Sequence, residues 1–146
     1  MCGIAVVNIL LGCLAIIFQV MALFVSDDIH RYSQDLAFTG VWGGVFLILF
    51  GVLLKNHKIG AATIKFMAIF SAITGIILIG LYSWSINTYP LPVSECQDWD
   101  YYNPSTVLLS CNRVVVDSLL ISCGILIVLT NTIIASKASA LSFTSY

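Results

Sequence analysis

Four long stretches of this chain carry no charged residue, and together they cover more than half of its 146 residues. Gly3–Val25 spans 23 residues, Leu36–Leu54 spans 19, Phe66–Ile86 spans 21 and Ser118–Ser136 spans 19. A bilayer core about 30 Å thick needs about 20 apolar helical residues at 1.5 Å each. Lipid offers no hydrogen-bond partners to the backbone, so each stretch is expected to cross as a helix that satisfies its own amides. Composition agrees. Hydrophobic residues make up 60% of the chain and charged residues 9%, against about 25% charged in soluble domains. Ile9–Phe18 and Val41–Leu54 lack the polar stripe of a soluble bundle helix.

The expected architecture is an all-α membrane protein. Residues 1–146 form one four-helix transmembrane domain, with helices at about 3–25, 36–54, 62–86 and 114–136. The first stretch has no basic n-region, and it exceeds the usual ~7–15 residues of a signal-peptide core. It is therefore read as a retained crossing, although Ala22 and Ser26 are small enough for cleavage.

Charge sets the expected orientation. Lys55, Lys58 and Lys65 lie between the second and third stretches, and Lys137 follows the fourth. Short cytoplasmic loops collect Lys and Arg, so this connection and both termini are placed in the cytoplasm. Asp27, Asp28, Asp35, Glu95, Asp98, Asp100 and Asp117 fall on the other side, with only Arg31 and Arg113. Cys96 and Cys111 lie in the long outer loop, 15 residues apart, where an oxidising compartment favours a disulfide. Closing such a loop is worth about 3 kcal/mol; two free thiols are the alternative. Cys13 and Cys123 read as small packing residues. Cys2 is positioned for S-palmitoylation.

Several residues stand out inside the crossings. Asn8 and Gln19 are polar side chains among aliphatic ones, which usually turn toward other helices and bond there; a polar seam for a partner or ion is the other reading. Gly40 and Gly44 form a G-x-x-x-G pair, Gly43 lies beside them, and Gly51 follows seven residues after Gly44. Ala68, Ser71, Ala72 and Gly75 repeat three or four apart. These small faces allow close helix packing, either within the chain or against another subunit. Tyr82 and Trp84 suit the interfacial aromatic belt.

The outer loop of about residues 87–112 contains Pro90, Pro92 and Pro104, which break regular structure. Trp99, Tyr101 and Tyr102 are either an extracellular recognition surface or a cap folded onto the helix ends. Arg113 and Asp117, spaced i, i+4 at the expected start of the fourth helix, are read as an interfacial ion pair near water, with a functional role as the alternative. The terminal Thr144-Ser145-Tyr146 faintly resembles a carboxylate-capture ligand.

Catalytic patterns are missing. His30 and His57 fall on opposite faces, and the sequence has no metal-ligand spacing, nucleophile elbow, phosphate loop or dinucleotide fingerprint. No carboxylate lies deep in a crossing, as proton-coupled transport usually requires. Neither an enzyme nor a cofactor nor a nucleic-acid partner is expected.

Val41-Trp42-Gly43-Gly44-Val45-Phe46 with Gly51, and Phe70-Ser71-Ala72-Ile73-Thr74-Gly75-Ile76-Ile77-Leu78, resemble the second and third helices of the membrane-spanning four-domain subfamily A family. Cys96 and Cys111 stand where that family has its second-loop disulfide, and Asn103-Pro104-Ser105-Thr106 resembles the same loop in one member. The family usually carries longer cytoplasmic tails than the one after Ser136 here. The resemblance implies a plasma-membrane tetraspan that oligomerises or accompanies another integral membrane protein. The expected function is thus a non-enzymatic accessory subunit of a receptor or channel complex. Two rivals are a cation channel formed by oligomerising, lined by Asn8, Gln19, Ser71 and Thr74, and an outer-face ligand sensor built on Trp99.

Overall fold

The computed structural model describes residues 2–25, 38–56, 59–88 and 104–139, with the side chains of Cys2 and residues 104–111 outside that description. The described chain is helical: α1 (Cys2–Val25), α2 (Thr39–Lys55), α3 (Ala61–Asn87) and α4 (Pro104–Ser136). Three of these helices are long and apolar enough to cross a membrane, through Gly3–Val25, Ala61–Asn87 and Asn112–Ser136. α2 is the short one, with 17 residues, or about 26 Å at 1.5 Å each.

Helix ends follow local chemistry. Phe38 precedes α2 in the left-handed region, at φ 46° and ψ 32°, an uncommon conformation for a bulky residue. Its carbonyl accepts from the Val41 and Trp42 amides at 2.9 and 3.1 Å. Lys55 lies in the last turn of α2, where a cation complements the exposed carbonyls. Thr88 closes α3 by donating its hydroxyl to the Trp84 carbonyl at 2.6 Å. α4 corrects the expected boundary: it begins at Pro104, ten residues before 114. A proline is disruptive inside a helix but suits the first turn, because that amide has no intrahelical acceptor. Cys111 therefore belongs to a helix and not to a loop.

Contacts run antiparallel between α1 and α2, α3 and α4, α1 and α4, and more sparsely α2 and α3. The result is an up-down-up-down bundle. Its buried positions recur every seven residues. On α1 they are Ala5, Asn8, Gly12, Ala15, Gln19 and Ala22, with Leu11 buried beside them. On α3 they are Ile64, Ala68, Ser71, Gly75, Leu78, Tyr82 and Ser85, with Thr74 buried beside them. This spacing is that of a left-handed helical bundle.

What occupies those positions inverts the soluble pattern. Small and polar residues share the interior with a few large apolar ones such as Leu47 and Phe50, while many large apolar residues face out: Leu10 is 57% exposed, Phe66 70% and Phe24 84%. Lipid solvates Leu and Phe as well as a protein core does, so membrane bundles use small interior residues to bring backbones together.

One apolar core joins Leu11, Leu47, Leu78, Tyr82, Leu120 and Ile127. A second joins Ala5, Phe50, Leu54, Ile64, Ala68 and Ile134 at the end that carries Lys55 and Lys65. We call this the lysine end; it also holds the start of α1 and the end of α4.

Candidate functional site: a buried polar ladder

Glycines set the spacing that everything else depends on. A Cβ built on Gly44 would fall 2.6 Å from the Gly12 carbonyl oxygen, and one on Gly12 would fall 2.6 Å from that of Gly44. On either side, Gly40 meets the Ala15 carbonyl at 2.8 Å and Gly51 meets that of Ala5 at 2.8 Å. Across the bundle, Gly75 and Gly124 face each other at 2.7 and 2.8 Å. Gly43 instead abuts the Thr74 side chain of α3.

Within this spacing, polar groups form three tiers. At the end opposite the lysines, Arg113 Nε lies 3.0 Å from Asp117 Oδ1. Arg113 Nη1 donates to the Ala22 carbonyl at 2.8 Å. Ser85 donates its hydroxyl to Asp117 Oδ2 at 2.7 Å. One ion pair thus joins α4, α1 and α3. One layer inward, Gln19 Oε1 accepts from the Tyr82 hydroxyl at 2.5 Å and from the Gly40 amide at 3.1 Å, joining α1, α3 and α2. Toward the lysine end, Asn8 and Asn131 exchange amide hydrogen bonds at 3.5 and 3.2 Å. Asn131 also donates to the Ile127 carbonyl at 2.9 Å. Buried hydrogen bonds of this kind tie helices together and fix their register.

The structure places the residues marked by sequence as follows. Asn8 and Gln19 are fully buried and bonded to other helices of the same chain. Gly40, Gly44 and Gly51 face α1, and Gly75 faces α4. Ala68 and Ser71 are buried, and Ala72 is half-buried. Of the two readings of these small faces, packing within the chain is the one the glycine contacts match. Thr74 is buried and donates to the Phe70 carbonyl at 3.1 Å.

Arg113 and Asp117, read from sequence as an interfacial pair near water, are 3% and 0% exposed, so the pair is buried among the helices. The longer α4 explains it, because Arg113 is nine residues past Pro104 and its side chain turns into the bundle. Tyr82 is likewise buried and bonded, whereas Trp84 is 57% exposed. Cys123 is buried and its Sγ lies 3.6 Å from the Leu11 carbonyl, but Cys13 faces outward and fills no core. Cys96, Trp99, Tyr101 and Tyr102 lie outside the described residues, as do the side chains of Cys111 and Cys2.

Sequence reasoning missed Gly12, Gly124, Ser85 and Asn131. The seven-residue repeat of small and polar residues along Ala5–Ala22 marks Gly12. Asn131 is the one side-chain amide in Ser118–Ser136. Among the described residues no group of three His, Cys, Asp or Glu side chains converges as a metal site. No family model, curated protein or solved structure matches this chain.

Proposed function

We propose that this chain is a non-enzymatic tetraspan protein of the plasma membrane, with both termini in the cytoplasm, that serves as an accessory subunit of a receptor or channel complex. The family resemblance in α2 and α3 and the lysine distribution support that reading. α2 counts as the fourth crossing because it packs along α1 from Gly51 against Ala5 to Gly40 against Ala15. A hydrophobic helix a few ångströms short is accommodated by local thinning of the bilayer and by flanking side chains such as Lys55 reaching its surface.

One observation separates this reading from the channel: the polar ladder is internal. Asn8, Gln19, Ser71 and Thr74 are 0–1% exposed, so they do not reach a pore assembled between protomers. What the helices present outward is apolar: Leu10, Ile17, Leu49, Ile76 and Leu129 are each more than half exposed. Association with another membrane protein would therefore use lipid-facing Leu, Ile and Phe side chains and the outer loop, not the glycine faces.

The test is purification in mild detergent with mass determination by light scattering, followed by identification and stoichiometry of any co-purifying membrane protein. A defined oligomer or a stoichiometric complex is expected. A lone monomer at all detergent concentrations refutes the proposal. Ion flux through reconstituted protein, reduced by Asn8→Leu, would favour the channel.

A further inference from the structure

A cleft of about 560 Å³ opens at the lysine end, between the first turn of α3 and the last turns of α4. That volume lies within the ~300–1,000 Å³ of small-ligand pockets. Ala61, Ala62 and Ala135 keep its walls low, and Lys65, Thr132 and Ser136 supply its polar rim. Thr132 and Ser136 donate their hydroxyls to the Val128 and Ile133 carbonyls at 2.7 and 2.8 Å, Ser139 also lines the cleft, and Lys65 is the charged side chain in that lining.

Among the described residues, the charge at this end has one sign. Lys55, Lys65 and Lys137 all lie at this end, while the only carboxylate among the described residues, Asp117, sits at the other. The backbone adds to it. The first helical bond of α3 runs from the Ile64 amide to the Gly60 carbonyl at 3.0 Å. The amides of Ala61, Ala62 and Thr63 therefore have no intrahelical acceptor, and Gly60 caps none of them with a side chain. Free amides, helix dipole and ammonium together favour an anion.

We infer that this cleft seats the phosphate of a membrane lipid headgroup, with Lys65 as its principal contact. Lipid is the source because apolar helix faces border the cleft: Phe66 and Ile69 on α3 and Ile133 on α4 are exposed, giving the acyl chains a surface to lie on. The inference goes beyond the accessory-subunit reading and stands or falls separately from it, since its test needs no protein partner.

The experiment is native mass spectrometry of the full chain in detergent with equal amounts of phosphatidylglycerol and phosphatidylcholine. Wild type is expected to retain phosphatidylglycerol preferentially. Lys65→Gln is expected to lower that preference about five-fold, the effect of one lysine near an anionic surface. Ala62→Trp, which fills the cleft without changing charge, is expected to lower it as well. Both positions are exposed, so neither change disturbs the core. Lys55→Gln, on α2 and outside the cleft lining, is expected to leave the preference intact, and glycerol phosphate at equal concentration is expected not to displace the lipid. The inference is overturned by no preference in wild type, by an equal loss in Lys55→Gln, or by displacement with glycerol phosphate.

Discussion

Replacing Asp117 by alanine is the sharpest probe of this bundle. In the wild type Arg113 is 3% exposed and shares its charge with Asp117 at 3.0 Å and with the Ala22 carbonyl at 2.8 Å. Without the carboxylate, the guanidinium loses its counter-ion and Ser85 loses the carboxylate it donates to. Breaking a buried pair by removing one partner costs about 3–5 kcal/mol, because it strands a charge away from water. Exposed pairs measure about 0.2–1 kcal/mol. The two regimes do not overlap. The assay is reversible unfolding in mixed micelles for wild type, Asp117→Ala, Arg113→Met and the Arg113→Met/Asp117→Leu double variant. Asp117→Ala is expected to lose 3 kcal/mol or more, and the double variant to recover most of that loss, since an apolar pair of similar volume strands nothing. A loss under about 1 kcal/mol for Asp117→Ala would place the pair in water and refute the extension of α4 through Arg113 into the bundle.

The other expectations concern packing and the remaining tiers. Gly44→Val is expected to cost at least about 1–3 kcal/mol by overpacking, because its Cβ meets the Gly12 carbonyl at 2.6 Å. Gly80→Ala, with nothing within 4 Å, is expected to raise stability by about 0.5–1 kcal/mol through helix propensity; unfolding of both in the same micelles checks the contrast. Asn8→Leu leaves the Asn131 amide without its interhelical partner and is expected to cost about 0.6–2 kcal/mol, with Asn8→Leu/Asn131→Leu less destabilised than the sum of the singles. Ser71→Ala is expected to be neutral or stabilising, since the buried Ser71 Oγ makes no hydrogen bond and its desolvation has no return. Single cysteines introduced at Lys55 and at Lys137 are expected to resist membrane-impermeant maleimide on intact cells; labelling of either refutes the cytoplasmic placement of the lysine end.

The helices were legible because charge-free runs of about 20 residues have few alternatives in lipid. α1 and α3 keep the expected bounds to within a residue. The start of α4 was not legible, because Pro104 reads as a breaker unless its first-turn position is known. That one ambiguity hid the burial of Arg113 and Asp117: spacing i, i+4 shows that two residues can pair, not which way the pair faces. Glycine spacing likewise showed that α2 has a small face but not what covers it. The answer depends on Gly12, whose own helix carries no G-x-x-x-G pair. Tyr82 was misplaced for a related reason. A tyrosine near a helix end satisfies the aromatic belt, and only the neighbouring Gln19 makes the buried position better.

Polar residues inside a hydrophobic bundle invite a transport reading, and here the hydrogen-bond partners argue for another role. The Arg113–Asp117 tier links α4 with α1 and α3. The Gln19 tier links α1 with α3 and α2, and the Asn8 tier links α1 with α4. α1 takes part in all three, and its buried face carries Ala5, Gly12, Ala15 and Ala22 between the polar residues. Apolar packing alone leaves such a helix free to slide by one seven-residue repeat, because small residues recur at every register. Each tier is distinct in chemistry and the polar residues do not repeat every seven, so a seven-residue slip of α1 would carry Gln19 to the Gly12 level or Asn8 to the Ala15 level, away from Tyr82 and Asn131, and leave buried donors unmatched. The polar ladder thus fixes the register that the glycines make close, which explains why polar groups stay buried in a bundle whose outer faces are apolar.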